Sequence, residues 1–134
     1  MSKLLDGIKI VDLTHVLAGP YCAYQLSLLG ADITRIENPA SVDLPRILDA
    51  DRGRRDKGMG AAFIAANSNK RSVAFDLSHE KDQELARQLI ANADVVLENF
   101  RPGVLKRTSV YLIKKLLNCK KLEWSVFMIR QEKC

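Results

Sequence analysis

Four side chains suited to binding or proton chemistry fall in turn-rich loops: His15 in THVLAGP (14–20), and Asn99, Arg101 and Arg107 in and just after ENFRPGV (98–104). Histidine titrates near neutral pH, and a guanidinium grips phosphate through paired hydrogen bonds. These residue types suit the holding of a phosphorylated ligand better than bond-making, because they do not combine into a complete catalytic set. The chain has no GxSxG elbow, no GxxxxGK[ST] loop and no GxGxxG after its first β-rich run, which disfavours an ordinary P-loop or dinucleotide reading. Val16, Phe75 and Phe100 are apolar neighbours able to flank a purine ring. Each residue also has a plainer reading on pattern alone. His15 reads as a loop or cap histidine, and Asn99 as a turn-closing residue. Lys70-Arg71 and the Arg52–Lys57 run read as solvated charge, and Cys22 as a small buried residue.

The elements that must position these loops alternate in type. IKIVDL (8–13) follows the turn signal Asp6-Gly7 and reads as a strand. Pro20 suits the first position of a helix, and YCAYQLSLL is apolar on nearly every face, as in a helix packed into a core. Gly30 stops that helix, ADITRIE (31–37) forms a second strand, and Asn38-Pro39 breaks it. Residues 38–60 read as a long loop rich in Pro and Gly, followed by a short helical piece, AAFIAAN. SVAFDL (72–77) is a third strand. Ser78 can cap the next helix, whose Glu80, Asp82 and Glu84 suit its N-terminus, and whose Leu85, Ala86, Leu89, Ile90 and Ala93 form one apolar face. DVVLEN (94–99) is a fourth strand. This order predicts an α/β fold: a partial Rossmann-like parallel sheet with crossover helices, its ligand site beyond the carboxyl ends of the strands.

The chain has 134 residues, about one domain, and carries a formal charge of +5. Residues 1–107 hold 15 Lys+Arg and 14 Asp+Glu, whereas residues 108–134 hold six and two, so the basic excess lies mostly in the tail. That distribution argues against a nucleic-acid-binding body. The three cysteines form no CxxC pair and have no histidine at metal-ligand spacing, so no metal is expected. No apolar run is long enough to span a bilayer and no leader pattern opens the chain, so a cytoplasmic setting is expected. All seven glycines, all four prolines and every alanine precede residue 108. The tail reads either as a helix (VYLIKKLL) and strand (within LEWSVFMI) continuing the fold, or as sequence foreign to it, such as a frameshift product.

LLDGIKIVDLTHVLAGPYCAYQLSLLGADITRIE, SNKRSVAFDLS and ADVVLENFRPGVLKR together resemble the class III coenzyme A transferases, the CaiB/BaiF family, over residues 4–107. The resemblance implies a CoA-binding Rossmann-like domain, acyl-CoA and a carboxylic acid as partners, and an interlocked homodimer. It implies that His15, Val16, Leu17 and Ala18 lie along CoA, that Phe75, Asp76, Leu77 and Ser78 lie near the adenine, that Asn99, Phe100 and Arg101 form another CoA-contacting stretch, and that Arg107 lies near the phosphates. Asp43 and Arg46 match a D-x-x-R pattern of the family, while Asn38 stands where many relatives carry a basic residue. The family's transferases pass through an aspartyl-CoA thioester. No aspartate here matches the motif of that nucleophile, so no catalytic residue is assigned and the chain alone is expected to be inactive. NKRS (69–72) and ENFRPG favour the transferases over the CoA-ester racemases of the same fold, which remain an alternative. A CoA-binding module without catalysis is another. On this reading residues 1–107 are the N-terminal part of the CoA-binding domain, incomplete relative to the family, and 108–134 are a divergent basic tail.

Overall fold

The computed structural model describes residues 2–101, residue 104 and the backbone of 127–130. The chain order is β1 (Lys9–Asp12), α1 (Ala18–Leu28), β2 (Asp32–Glu37), α2 (Leu44–Ile47), α3 (Arg52–Asp56), α4 (Ala61–Asn67), β3 (Arg71–Ala74), α5 (Glu80–Ala91), β4 (Val95–Glu98) and β5 (Phe127–Arg130). The sheet order is β3-β2-β1-β4-β5. The first four strands are parallel, as the alternation of elements predicts, and β5 pairs antiparallel along β4. A parallel pair needs a crossover, and α1, the α2–α4 segment and α5 supply the three that are required.

Strand pleating sends alternate side chains to opposite faces, and both faces are apolar. Ile10, Ile33 and Leu97 pack with Ala23 of α1 on one side. Val11, Leu13, Ile36 and Val96 pack with Ala86 of α5 and with Ala93 on the other. The apolar face expected of α5 is therefore the buried one, except that Leu85 at its margin stays 40% exposed.

Several local expectations change. Helix α1 is not enclosed by the described residues: it buries Gly19, Pro20, Ala23 and Ser27 and leaves Leu17, Tyr21 and Leu28 exposed. Its apolar outer positions follow from the sheet covering one side only. Pro20 sits at the third position of the helix, where its missing N–H still leaves no bond unmade. The stretch between β2 and β3 is not a bare loop, since α2 and α3 fold within it. Ser78 does not cap α5. His79 holds the cap position without a side-chain bond, and the Ser78 hydroxyl donates to Asp76 Oδ1. Gly30 is required where α1 turns into β2: its φ is +108°, and a Cβ there would lie 2.6 Å from the Asp6 carboxylate and from Lys3. The helix expected within 110–117 lies outside the described residues.

Candidate functional site

The carboxyl ends of β1 and β4 are neighbours, and their flanking helices α1 and α5 lie on opposite faces of the sheet. This is the switch point at which doubly wound sheets bind ligands. The loop leaving β1 is tied to the loop leaving β4 by one side chain. Asn99 Oδ1 accepts from the His15 N–H at 2.9 Å, and Asn99 Nδ2 donates to the His15 carbonyl, also at 2.9 Å. Asn99 thus acts on the backbone of the loop rather than on the cavity wall.

Thr14 anchors the start of the same loop, donating from its N–H and hydroxyl to Asp12 Oδ1. Its side chain then occupies the space a Cβ at position 19 would need, 2.4 Å from Thr14 Cβ, so only glycine allows α1 to begin there. Val16 has φ 69°, a left-handed conformation costly for a β-branched residue. Its N–H donates to Asp43 Oδ1 at 3.1 Å. Leu17, at the helix cap position, makes no side-chain cap bond.

Beside this loop lies a cavity of about 290 Å³ lined by Leu13, His15, Ile36, Asn38, Phe75, Asp76, Leu77, Ser78, Phe100 and Val104. Its walls are mostly apolar, and its polar groups are few. The His15 and Phe100 rings meet at a centroid distance of 5.2 Å and an interplanar angle of 56°. Burial lowers the His15 pKa, with Asp43 opposing that effect, which favours the neutral ring. Glu98, at the end of β4, has its pKa raised by burial although its carboxylate accepts the Phe100 N–H. A larger cavity of about 590 Å³, lined by Lys3, Asp6, Asp32, Asn69 and Arg71 among others, opens where β2 and β3 begin. It holds none of the residues expected to bind and lies away from the strand ends where such folds place ligands.

Of the residues proposed from sequence, His15, Phe75, Asp76, Leu77, Ser78 and Phe100 come together around the smaller cavity. Val16, Leu17 and Ala18 lie exposed on the adjoining loop and helix start, Arg101 is exposed, and Arg107 lies outside the described residues. Leu13, immediately after β1, and Ile36, on β2, also line the cavity. Their signal was no more than apolar strand residues near a carboxyl end.

A buried charge network behind the loop went unseen in the sequence. Lys70 is not a solvated partner of Arg71. Its side chain is 1% exposed, and its ammonium donates to Asp12 Oδ2, the Pro20 carbonyl and Asn67 Oδ1 at 2.8–2.9 Å. Burial lowers the Lys70 pKa even though Asp12 opposes it. Arg71 behaves as expected, pairing with Asp32 at the surface. Arg35, also 1% exposed, lies 2.6 Å from Asp43, 3.6 Å from Asp12 and 3.8 Å from Glu37. Arg46 forks onto both Glu37 oxygens at 2.8 Å and stacks 3.6 Å from the Phe63 centroid. Burial pushes the Glu37 carboxyl up, but the Arg46 and Ser72 hydrogen bonds and the two guanidinium charges bring it below the usual range. The Asp43–Arg46 pattern therefore fastens the segment after β2 to that strand. Among the described residues no cluster of three or more His, Cys, Asp or Glu is placed to hold a metal ion. No described helix is long and apolar enough to cross a membrane.

Comparison with known proteins shows the family to which this fold belongs. The formyl-CoA:oxalate CoA-transferase of Rhodopseudomonas palustris strain TIE-1 is 41% identical over 107 residues, covering 80% of this chain and 24% of that protein. The enzyme of the same name from Afipia carboxidovorans is 40% identical over the same shares. The chain thus spans about a quarter of the length of the curated relatives it matches. The crystal structure of a CaiB/BaiF family protein from Brucella suis superposes with a TM-score of 0.73 at 38% identity, over 82% of this chain and 29% of that one. A Mycobacterium tuberculosis protein, Rv3272, superposes with a TM-score of 0.70 at 32% identity, over 82% and 28%. The family model described as CoA-transferase family III matches residues 5–111. With four-fifths of its length matched and the family's parallel sheet in place, the chain belongs to CoA-transferase family III.

Proposed function

We propose that this chain carries the CoA-recognising portion of an acyl-CoA:carboxylate CoA-transferase. The observation that carries the proposal is the apolar cavity at the carboxyl ends of the parallel strands, bordered by the segments after β1, β2, β3 and β4. A purine fits such a slot, with Phe75, Leu77 and Phe100 flanking its faces and Asn38, Asp76 and Ser78 offering polar contacts. The His15 ring and the loop through Val16, Leu17 and Ala18 then follow the rest of the ligand. The uncapped start of α1 suits its phosphates. Arg101 supplies charge beside that loop in this reading, the family resemblance assigns Arg107 to the phosphates, and Asn99 contributes by fixing the loop. The acyl donor and acceptor are CoA esters and carboxylic acids, the class named for the relatives. We assign no catalytic residue, and binding without turnover is expected of the 134-residue chain.

Calorimetric titration with CoA, adenosine and pantetheine tests this reading. CoA and adenosine should both bind, and Phe100→Ala should weaken both by about 1–3 kcal/mol, the contribution of one base–aromatic stack. Arg107→Ala should weaken CoA and leave adenosine unchanged. Binding of pantetheine as tight as CoA would remove the adenine from the cavity, and no binding of CoA would refute the proposal.

A further inference from the structure

Asp43 occupies the N-cap position of α2, where an aspartate ordinarily accepts a bond from its own helix, and it makes none. Its carboxylate turns away instead. Oδ2 takes the buried Arg35 guanidinium at 2.6 Å, and Oδ1 takes the Val16 N–H at 3.1 Å. Val16 is the loop residue with the unfavourable left-handed backbone. Arg35 is itself fixed, buried to 1% exposure beside Asp12 and Glu37. Asp43 therefore links a buried interior cation to the residue of left-handed backbone in the loop that borders the cavity.

We propose that Asp43 is a positioning residue that holds Val16 in its left-handed conformation and so sets the His15–Ala18 loop for its ligand. The proposal rests on the reading of that loop as part of the CoA site. The rival account makes Asp43 no more than a counterion for Arg35. The two separate on what happens at Val16.

The test is Asp43→Asn, which keeps the shape but cannot serve both partners with a full charge. Val16 amide hydrogen exchange in the ligand-free chain should accelerate about tenfold, the factor carried by one charge-assisted hydrogen bond. Ile10 and Ile33 in the strands should be unaffected. CoA affinity should fall by a similar factor, and adding Val16→Gly should restore most of it, since glycine takes positive φ without a Cβ penalty. Should the asparagine variant not fold, Asp43→Glu keeps Arg35 paired and displaces the carboxylate by one methylene, and the same acceleration at Val16 is expected. Unchanged Val16 exchange alongside a lowered melting temperature would overturn the proposal, as would a lack of recovery with Val16→Gly. If wild-type chain binds no CoA while Val16 exchange still responds to Asp43, the positioning role stands and the ligand assignment fails.

Discussion

Lys70→Met gives the sharpest measure of the interior charge network. Methionine keeps the length and apolar stem of lysine but removes the ammonium and its three hydrogen bonds, to Asp12, Pro20 and Asn67. Asp12 is then left with 0% exposure, holding Thr14 and facing Arg35 at 3.6 Å. Removing one partner of a buried pair costs about 3–5 kcal/mol, chiefly through the uncompensated charge left behind. Arg35 and Thr14 retain part of the compensation, so the lower end, about 3 kcal/mol, is expected. For a domain of about 100 residues that loss lowers Tm by about 12–24 °C, at 4–8 °C per kcal/mol. A domain of this size has about 5–15 kcal/mol in total, so the variant should remain folded at low temperature with little reserve.

Urea titration followed by circular dichroism supplies the assay. Two further variants, Asp12→Asn alone and Asp12→Asn with Lys70→Met, close a double-mutant cycle. Because the orphaned charge is gone, the pair should be more stable than additivity predicts by about 1–2 kcal/mol. A loss below about 1 kcal/mol for Lys70→Met would refute the reasoning, since that is the magnitude of a solvent-exposed pair.

Three further outcomes follow from the loop. His15 has a pKa below its ordinary value, so as pH falls past about 6.5 the unfolded chain takes the proton first and stability declines until the folded ring also protonates. The urea midpoint should therefore drop between about pH 7.5 and 5.5, and His15→Gln should flatten that drop. Glu98, with a raised pKa, works in the opposite sense below neutrality, so the difference between wild type and His15→Gln isolates the histidine. Gly19→Ala forces a Cβ to within 2.4 Å of Thr14 Cβ and should cost about 1–3 kcal/mol in thermal unfolding. Asn99→Ala removes both bonds to the His15 backbone and should cost about 1–2 kcal/mol. Asn99→Asp, which keeps the acceptor and loses the donor, should fall between it and wild type in the same measurement.

What was legible in the sequence and what was not divide along a physical line. Strand and helix order is written in local periodicity, and four short apolar runs with helical segments between them sufficed for the parallel sheet. The cavity residues were legible because glycine- and proline-rich turns mark the strand ends, and because the family resemblance supplied what the turns could not. The role of Lys70 was not, because its partner Asp12 is 58 residues away and no local pattern separates a buried lysine from a solvated one. Asp43 carries a still weaker signal. Residues 38–60 read as a long loop, and nothing in the sequence shows that the Asp43 carboxylate faces Val16. The exposed outer side of α1 was misjudged for a related reason, since composition shows that a helix is apolar but not which neighbours cover it.

The position of the charges argues for their purpose. An ion network inside a fold is a weak source of stability, because desolvation offsets much of the Coulombic attraction and an apolar replacement is often as stable. Arg35 illustrates the point: two of its guanidinium nitrogens, Nε and Nη1, have no hydrogen-bond partner although they are buried. What apolar side chains cannot do is hold backbone N–H groups in fixed directions. Asp12 does so for Thr14, and Asp43 for Val16, the residues on either side of His15. Asn99 fixes His15 from the other strand end. Three consecutive loop residues are thus each held by a separate side chain, and Lys70 and Arg35 hold the two carboxylates in place. On the proposed reading of this loop as part of a CoA site, the network trades interior stability for a backbone set before the ligand arrives, which lowers the ordering cost of binding.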